Sequence, residues 1–370
     1  MHDPLKTKIC DMFGIEFPIL AFSHCKDVVA AVTNAGGLGV LGELAHAPEQ
    51  IAQDIAWLRE RVGDKPFGVD LIFPASLPEK APSLEERRQV ITQEHRDFLQ
   101  RFMEQHHLPE PASTRGADAA VPIGMSSLDD ARRQLDVLLE ERVPLIAAGL
   151  GSPAFVLDAA HARGIKVAGL VGRTRLARRE IEAGVDIIIA QGYDGGGHTG
   201  EIGTFTLVPQ VVAIAGDTPV LCAGGVGTGR HLAAALCFGA AGVWSGTIWL
   251  ASRESDSSLL VKEKILASTE DDTIRSRALT GKPARQLKNA WNLAWEAPDA
   301  PPPLPFPLQM VLSGRIMAAA RETNDPALAG SPAGQVIGTI DAIKPCREII
   351  YDMVEEARDV FDSLLGVPVG

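Results

Sequence analysis

The stretch DIIIAQGYDGGGHTGEIGTFTLVPQVVAIAGDTPVLCAGGVGTGRHLAAALCFGAAGVWSGT, Asp186 to Thr247, decides the fold. Three short apolar runs in it, IIIAQ, PVLCA and GVWSG, each end in glycine, with helical patterns between them. A strand buried on both faces reads as a continuous apolar run, and strands alternating with helices argue for parallel βαβ units. Each glycine cluster falls where a strand gives way to a loop, which is where α/β enzymes build their sites.

The same rhythm extends toward the N-terminus. FPILA (Phe17–Ala21), LGVLGE, KPFGVDLIFP, VPLIAAGLG and KVAGLVG read as the first five strands, and the opening stretch supplies the remaining three. Between them lie helical patterns. In PEQIAQDIAWLRERVG, Ile51, Ile55, Leu58 and Val62 share one face and a proline stands at the start. SLDDARRQLDVLLEERV has Ser126 or Ser127 placed to cap it. Strands each followed by a helix over about 250 residues predict an α/β fold of the (β/α)8 (TIM) barrel type. An open doubly wound sheet is the alternative, and the lack of a central crossover signal favours closure.

The barrel is expected to span 1–251, broken by a polar insertion at about 75–120 with a helix around Leu84–His106. After Ala251 the chain becomes helical and charged, and a proline run, APDAPPPLPFP, cannot form a helix interior. Residues 252–334 are expected to form a smaller C-terminal helical cap. In 335–370 the final helix carries Ile349, Ile350, Met353, Val354, Ala357, Val360 and Phe361 on one face, which should return to the barrel wall.

Composition narrows the function. With 46% hydrophobic and 22% charged residues, the 370-residue chain reads as globular. A net charge of −12 without a basic block argues against nucleic acid as a partner. The five cysteines (Cys10, Cys25, Cys222, Cys237, Cys346) are scattered without a CxxC, and Cys222 and Cys237 fall in elements expected to be buried. This suits a reducing cytoplasm, with no disulfide framework and no zinc site. No apolar leader is visible in MHDPLKTKICDMFGIEFP. The uncharged run Leu232–Ser252 divides into a helix and a strand rather than a membrane span. A homodimer is allowed but not specified.

Chemistry concentrates at the strand ends. In barrels a phosphate commonly sits at the loops after strands seven and eight, held by backbone N–H groups. AGGVGTG (Ala223–Gly229) and SGT (Ser245–Thr247) occupy those two loops. Two clusters on adjacent strand ends favour phosphate binding over turns alone. Spacing does not decide whether that phosphate belongs to a substrate or a cofactor. His198, in GGGHTG after strand six, is expected to be poorly packed, and an imidazole titrating near neutrality suits a general base. His95, His106, His107, His161 and His231 lie in the insertion or on helices without metal-ligand context, so no metal is expected. His24 reads as a polar, substrate-lining residue after strand one. Its neighbour Cys25 begins a helix facing the wall, which disfavours a Cys nucleophile. Asp70, a carboxylate in an apolar strand, needs a partner and favours a ligand contact.

These motifs resemble the nitronate monooxygenase family (formerly 2-nitropropane dioxygenases), FMN-dependent (β/α)8 barrels. NAGGLGVLG (Asn34–Gly42), AQGYDGGGHTGEIGT (Ala190–Thr204), PVLCAGGVGTGR (Pro219–Arg230), GTIWLASRES (Gly246–Ser255) and TGKPARQLKN in the cap carry the likeness. It spans nearly the whole chain outside the insertion. The resemblance implies FMN as cofactor, with Ala223, Gly224, Gly225, Ser245, Gly246 and Thr247 around its phosphate. Ala21, Phe22, Ser23, Asp70, Gln191, Gly195, Gly196 and Gly197 would line the flavin, and His198 would match the family's proposed base. It implies a small-molecule substrate, an alkyl nitronate or a nitroalkane, oxidised with O2 through a flavin semiquinone and without a nicotinamide. Three departures bear on the substrate. LAFSHCKD is shorter than the family's QxxM loop, GVDL replaces GVNL, and KVAGLVG lacks a histidine that some members carry. Relatives on the same scaffold are NAD(P)H-dependent reductases of quinones or enoyl-thioesters, which stand as the alternative.

Overall fold

The structure is a computed structural model that describes residues 3–73, 77–110 and 121–366. Eight parallel strands close into a barrel: β1 (Ile19–Ser23), β2 (Leu38–Gly42), β3 (Gly68–Ile72), β4 (Leu145–Gly149), β5 (Lys166–Val171), β6 (Ile187–Gln191), β8 (Val220–Ala223) and β9 (Gly242–Ser245). The sequence reading of a (β/α)8 barrel therefore holds. Closure is made by β1 against β9, with Ile19 beside Val243 and Ala21 beside Ser245.

Alternation along each strand sorts the side chains into two apolar layers. Leu20, Leu38, Val40, Leu145, Ala147, Ala168, Ile187, Ile189, Leu221 and Ala223 fill the barrel. Their neighbours, such as Ile19, Val69, Leu71, Ile146 and Ile188, pack outward on the helices. The floor is closed by Ile9, Cys10 and Ile15, from and beside a short helix at Lys8–Phe13 that the sequence reading did not foresee. Burying both layers is the main favourable term, at roughly 25 cal/mol per Å² of apolar surface.

The wall is completed late in the chain. Beyond β9 the chain departs into the cap and returns as the helix Cys346–Leu364. Ile350, Met353, Val354 and Ala357 are buried on this helix and belong to the outer barrel core. It crosses the helix Gly229–Cys237 so closely that a Cβ at Gly229 would stand 2.3 Å from the Met353 carbonyl oxygen. The Glu356 carboxylate accepts from the Gly229 N–H at 2.7 Å, capping the neighbouring helix.

The segment after β9 is not purely helical. Strands β10 (Thr273–Ser276) and β11 (Ala284–Leu287) lie antiparallel, and β11 pairs with a two-residue strand, β7 (Gly197–His198), from the loop after β6. The helical stretch read at Leu84–His106 is two helices, Leu84–Gln89 and Gln93–Gln105. Phe98 and Phe102 from the second pack on Trp291 and Trp295, so this insertion shares a core with the cap. Residues 74–76 and 111–120 of the insertion lie outside the described residues. Cys237 corrects one expectation: it is exposed, because Leu232, Ala233 and Ala235 form the buried face of its helix. No described helix is long and apolar enough to cross a membrane.

Candidate active site

The carboxyl ends of the strands open into a mouth whose lining follows from register. Gly42 sits beside Asp70, Asp70 beside Ala147, and Gln191 beside Ala223. Alternation from the interior residues turns Phe22, Asp70, Gln191 and Trp244 inward. Phe22 stacks on Trp244 with ring centroids 6.0 Å apart. The Asp70 carboxyl has no hydrogen-bond or ion-pair partner among the described residues. Burial alone holds its pKa well above the ordinary carboxylate value. An orphaned buried carboxyl at the mouth is a polar group waiting for a ligand.

Ala21, Ser23 and Ser245 present only backbone to the mouth. Ala21 packs in the outer core, and the Ser23 hydroxyl accepts from the Cys25 N–H at 3.1 Å. The Ser245 hydroxyl accepts from the Trp249 indole at 3.2 Å.

After β8, Gly224 and Gly225 take φ of +87° and +72°, a left-handed region that side chains other than glycine's disfavour. The Thr204 hydroxyl donates to the Gly224 carbonyl at 2.9 Å, and Asp194 accepts from the Thr204 N–H at 2.7 Å. The turn is thereby tied to the loop after β6. Among the described residues the N–H groups of Gly225, Val226 and Gly227 have no protein acceptor. Consecutive free N–H groups at a glycine turn form an anion cradle, and a phosphate fits it. Thr247 is less free than its sequence suggests: its hydroxyl accepts from the Gly334 N–H at 2.9 Å. The next N–H, of Gln335, donates to the Asp194 carbonyl at 2.9 Å, so the chain around Gly334 bridges the loops after β6 and β9.

Gly195 to Gly197 sit above Gln191, whose amide donates to the Gly196 carbonyl at 3.2 Å. A Cβ at Gly195 would stand 2.9 Å from that amide nitrogen. His198 is held by pairing rather than left on a loose loop: it lies beside Ala284 in the small sheet. Its Nε2 is 2.8 Å from the Thr280 hydroxyl, and its ring meets the edge of Phe306 at 6.0 Å. Burial, then the charge of Lys282, lowers its pKa to about 4. This corrects the expectation of titration near neutrality: desolvation and a neighbouring cation both oppose a second positive charge. The ring is neutral at physiological pH.

His24 is exposed at the mouth, with Nδ1 2.8 Å from the Gly42 carbonyl and its ring against Phe22. The buried Cys25 thiol donates to the Glu254 carbonyl at 3.2 Å, away from His24. Four of the other histidines have structural partners: His95 with Thr92 and Pro302, His161 with Asp186, His231 with Thr228 and His106 with Phe102. After β2, Glu43, His46 and Asp54 cluster with their ligand atoms within 4.8 Å, but the Lys26 ammonium sits 2.6 Å from Asp54. That network supplies its own cation.

Sequence reading missed Thr280, Lys282 and Phe306. The first two lie in TGKPARQLKN, which gave a family likeness but no position. Phe306 lies in the proline run, where nothing signalled a ring against His198.

Comparison with known proteins agrees with this fold. The model of the nitronate monooxygenase family matches residues 6–356. The protein Rv1533 of Mycobacterium tuberculosis, whose name makes it a monooxygenase only provisionally, is 42% identical, with 98% of this chain and 99% of that one covered. Among solved structures, FabK from Thermotoga maritima has a TM-score of 0.73 at 30% identity, covering 98% of this chain and 99% of that one. A nitroalkane oxidase from Streptomyces ansochromogenes has a TM-score of 0.77 at 27% identity, covering 96% and 99%. The barrel, the glycine loops and the match along nearly its whole length lead to one conclusion: the chain belongs to the nitronate monooxygenase family and is an oxidoreductase, its membership implying a flavin.

Proposed function

We propose that the protein binds FMN and oxidises alkyl nitronates, and nitroalkanes deprotonated in the site, with O2. The observation that carries the proposal is a neutral imidazole, His198, fixed by Thr280 in a mouth that also holds a free N–H cradle. Gly225, Val226 and Gly227, with the loop at Gly246, would hold the phosphate, and Phe22, Asp70, Gln191 and Gly195–Gly197 the ring system. When bound, the flavin supplies the electron transfer between substrate and O2.

The chain's own contribution is proton chemistry and orientation. The Thr280 hydroxyl lies within 3.4 Å of the Lys282 carbonyl and can donate to it. His198 Nε2–H then donates to Thr280, leaving Nδ1 as the proton acceptor. A nitroalkane held with its α-carbon at Nδ1 would lose its proton there, and a preformed nitronate would skip that step. Phe306 lies against the imidazole in a T-shaped contact, with ring centroids 6.0 Å apart.

A second reading, an NAD(P)H-dependent FMN reductase of enoyl-thioesters or quinones, draws support from the likeness to FabK. Two measurements decide. Heat-released pigment run against standards should be FMN, and FAD or no pigment would overturn the cofactor assignment. Anaerobic mixing with a nitronate should reduce the flavin, and NAD(P)H should not. Rapid bleaching by NAD(P)H with none by nitronate would favour the reductase.

A further inference from the structure

Lys282 is half-buried beside His198, and its ammonium lies 4.4 Å from the Phe306 ring centroid. That ring also makes a T-shaped contact with His198, so the cation and the imidazole both touch Phe306. The Lys282 ammonium has no carboxylate or hydrogen-bond acceptor among the described residues. Other cations of this region are occupied differently, Arg277 by the Gly281 carbonyl at 2.7 Å. Arg285 and Arg275 lie over the Tyr193 ring, at 4.5 and 5.4 Å from its centroid, and donate to the Tyr193 and Thr199 carbonyls. In a chain of net charge −12, a half-buried ammonium without an anion at the mouth of the site is an anomaly. A cation–π contact offsets only part of its lost hydration.

We propose that Lys282 and Phe306 form an oxyanion subsite facing His198, which binds the substrate as a small planar oxyanion. The inference rests on the nitronate reading above and deepens it. The ammonium would donate to one oxygen of the nitronate N–O pair, Phe306 would support the planar group, and the α-carbon would fall toward His198. A neutral nitroalkane gains less from Lys282 than the charged nitronate, so Lys282 discriminates in favour of the anion. Because the ammonium is presented by the cap, the subsite lies on the His198 side of the mouth, apart from the glycine cradle after β8.

The probe is inorganic nitrate, a planar oxyanion of nitronate shape that cannot be oxidised. The FMN-loaded protein is titrated with nitrate at constant ionic strength while the flavin absorption is followed. Nitrate should bind saturably, Lys282→Met should weaken it by about tenfold or more, and Lys282→Arg should hold it within about threefold. With nitronate as substrate, Lys282→Met should raise KM by a similar factor and leave kcat nearly unchanged. Unaltered nitrate binding in Lys282→Met, or none to the unmodified protein, overturns the subsite. A Lys282-dependent preference for inorganic phosphate or NADPH over nitrate overturns it in favour of a nucleotide contact. Nitrate binding is read without turnover. If nitrate binding depends on Lys282 but no nitronate is oxidised, the subsite stands and the nitronate reading falls.

Discussion

His198 Nε2 lies 2.8 Å from the hydroxyl oxygen of Thr280, a residue 82 positions later that reaches the barrel mouth from the cap. The pair joins two parts of the chain at the imidazole proposed above as the base. His198→Asn should lower kcat/KM on a neutral nitroalkane by about 10²–10⁴-fold. A preformed nitronate should lose far less. Thr280→Val should cost about three- to tenfold on the neutral substrate, with Thr280→Ser restoring most of it. Rates are compared at matched flavin occupancy, and equal losses on both substrates would assign His198 to binding or structure instead.

The pH profile carries the sign of the His198 shift. Its folded pKa is about 4 against an ordinary 6.5, so the base form persists well below neutrality. On a neutral nitroalkane, kcat/KM should stay level down through pH 6 and fall only as pH approaches about 4. The same shift makes stability full above 6.5 and declining as pH falls from 6.5 toward 4, because the unfolded chain then binds the proton more readily. His198→Asn should flatten that part of the stability curve, measured by denaturant unfolding across the window.

Gly246→Val offers a cleaner test of the phosphate cradle than Gly225→Val. A Cβ at Gly246 meets nothing closer than Phe22 at 3.9 Å, so the protein itself has room for it. Gly225 has φ +72° and a Cβ there would lie 3.2 Å from Asp194, so substitution strains the turn whether or not a ligand is bound. The Gly246 variant should fold with an unchanged circular dichroism spectrum and purify without flavin. Full flavin occupancy would place the phosphate elsewhere.

Asp70→Asn should stabilise the flavin-free protein at neutral pH. A carboxyl whose folded pKa is raised supports the fold while protonated and weakens it as pH rises past the unfolded value. Removing a buried charge penalty of about 1 kcal/mol should raise Tm by roughly 1 °C at 370 residues. An unchanged or lower Tm for the flavin-free variant would show that Asp70 has a compensating partner.

The sequence by itself determined the barrel and the places where chemistry collects. Apolar runs such as IIIAQ and PVLCA bury both faces of a strand, and the glycines after them mark loops, because burial and turn geometry are local constraints written in adjacent residues. Asp70 stood out as a carboxylate in an apolar strand, and His198 as an imidazole flanked by glycines at a strand end. What Thr280, Lys282 and Phe306 do was decided only by tertiary structure. They lie beyond β9, and their meeting with His198 depends on β11 pairing with β7. The His198 pKa belongs to the same class, since desolvation and a neighbouring charge are properties of enclosure rather than of sequence spacing. The hydroxyls of Ser245 and Thr247 are a further case: only the folded chain shows that they accept from the Trp249 indole and the Gly334 N–H.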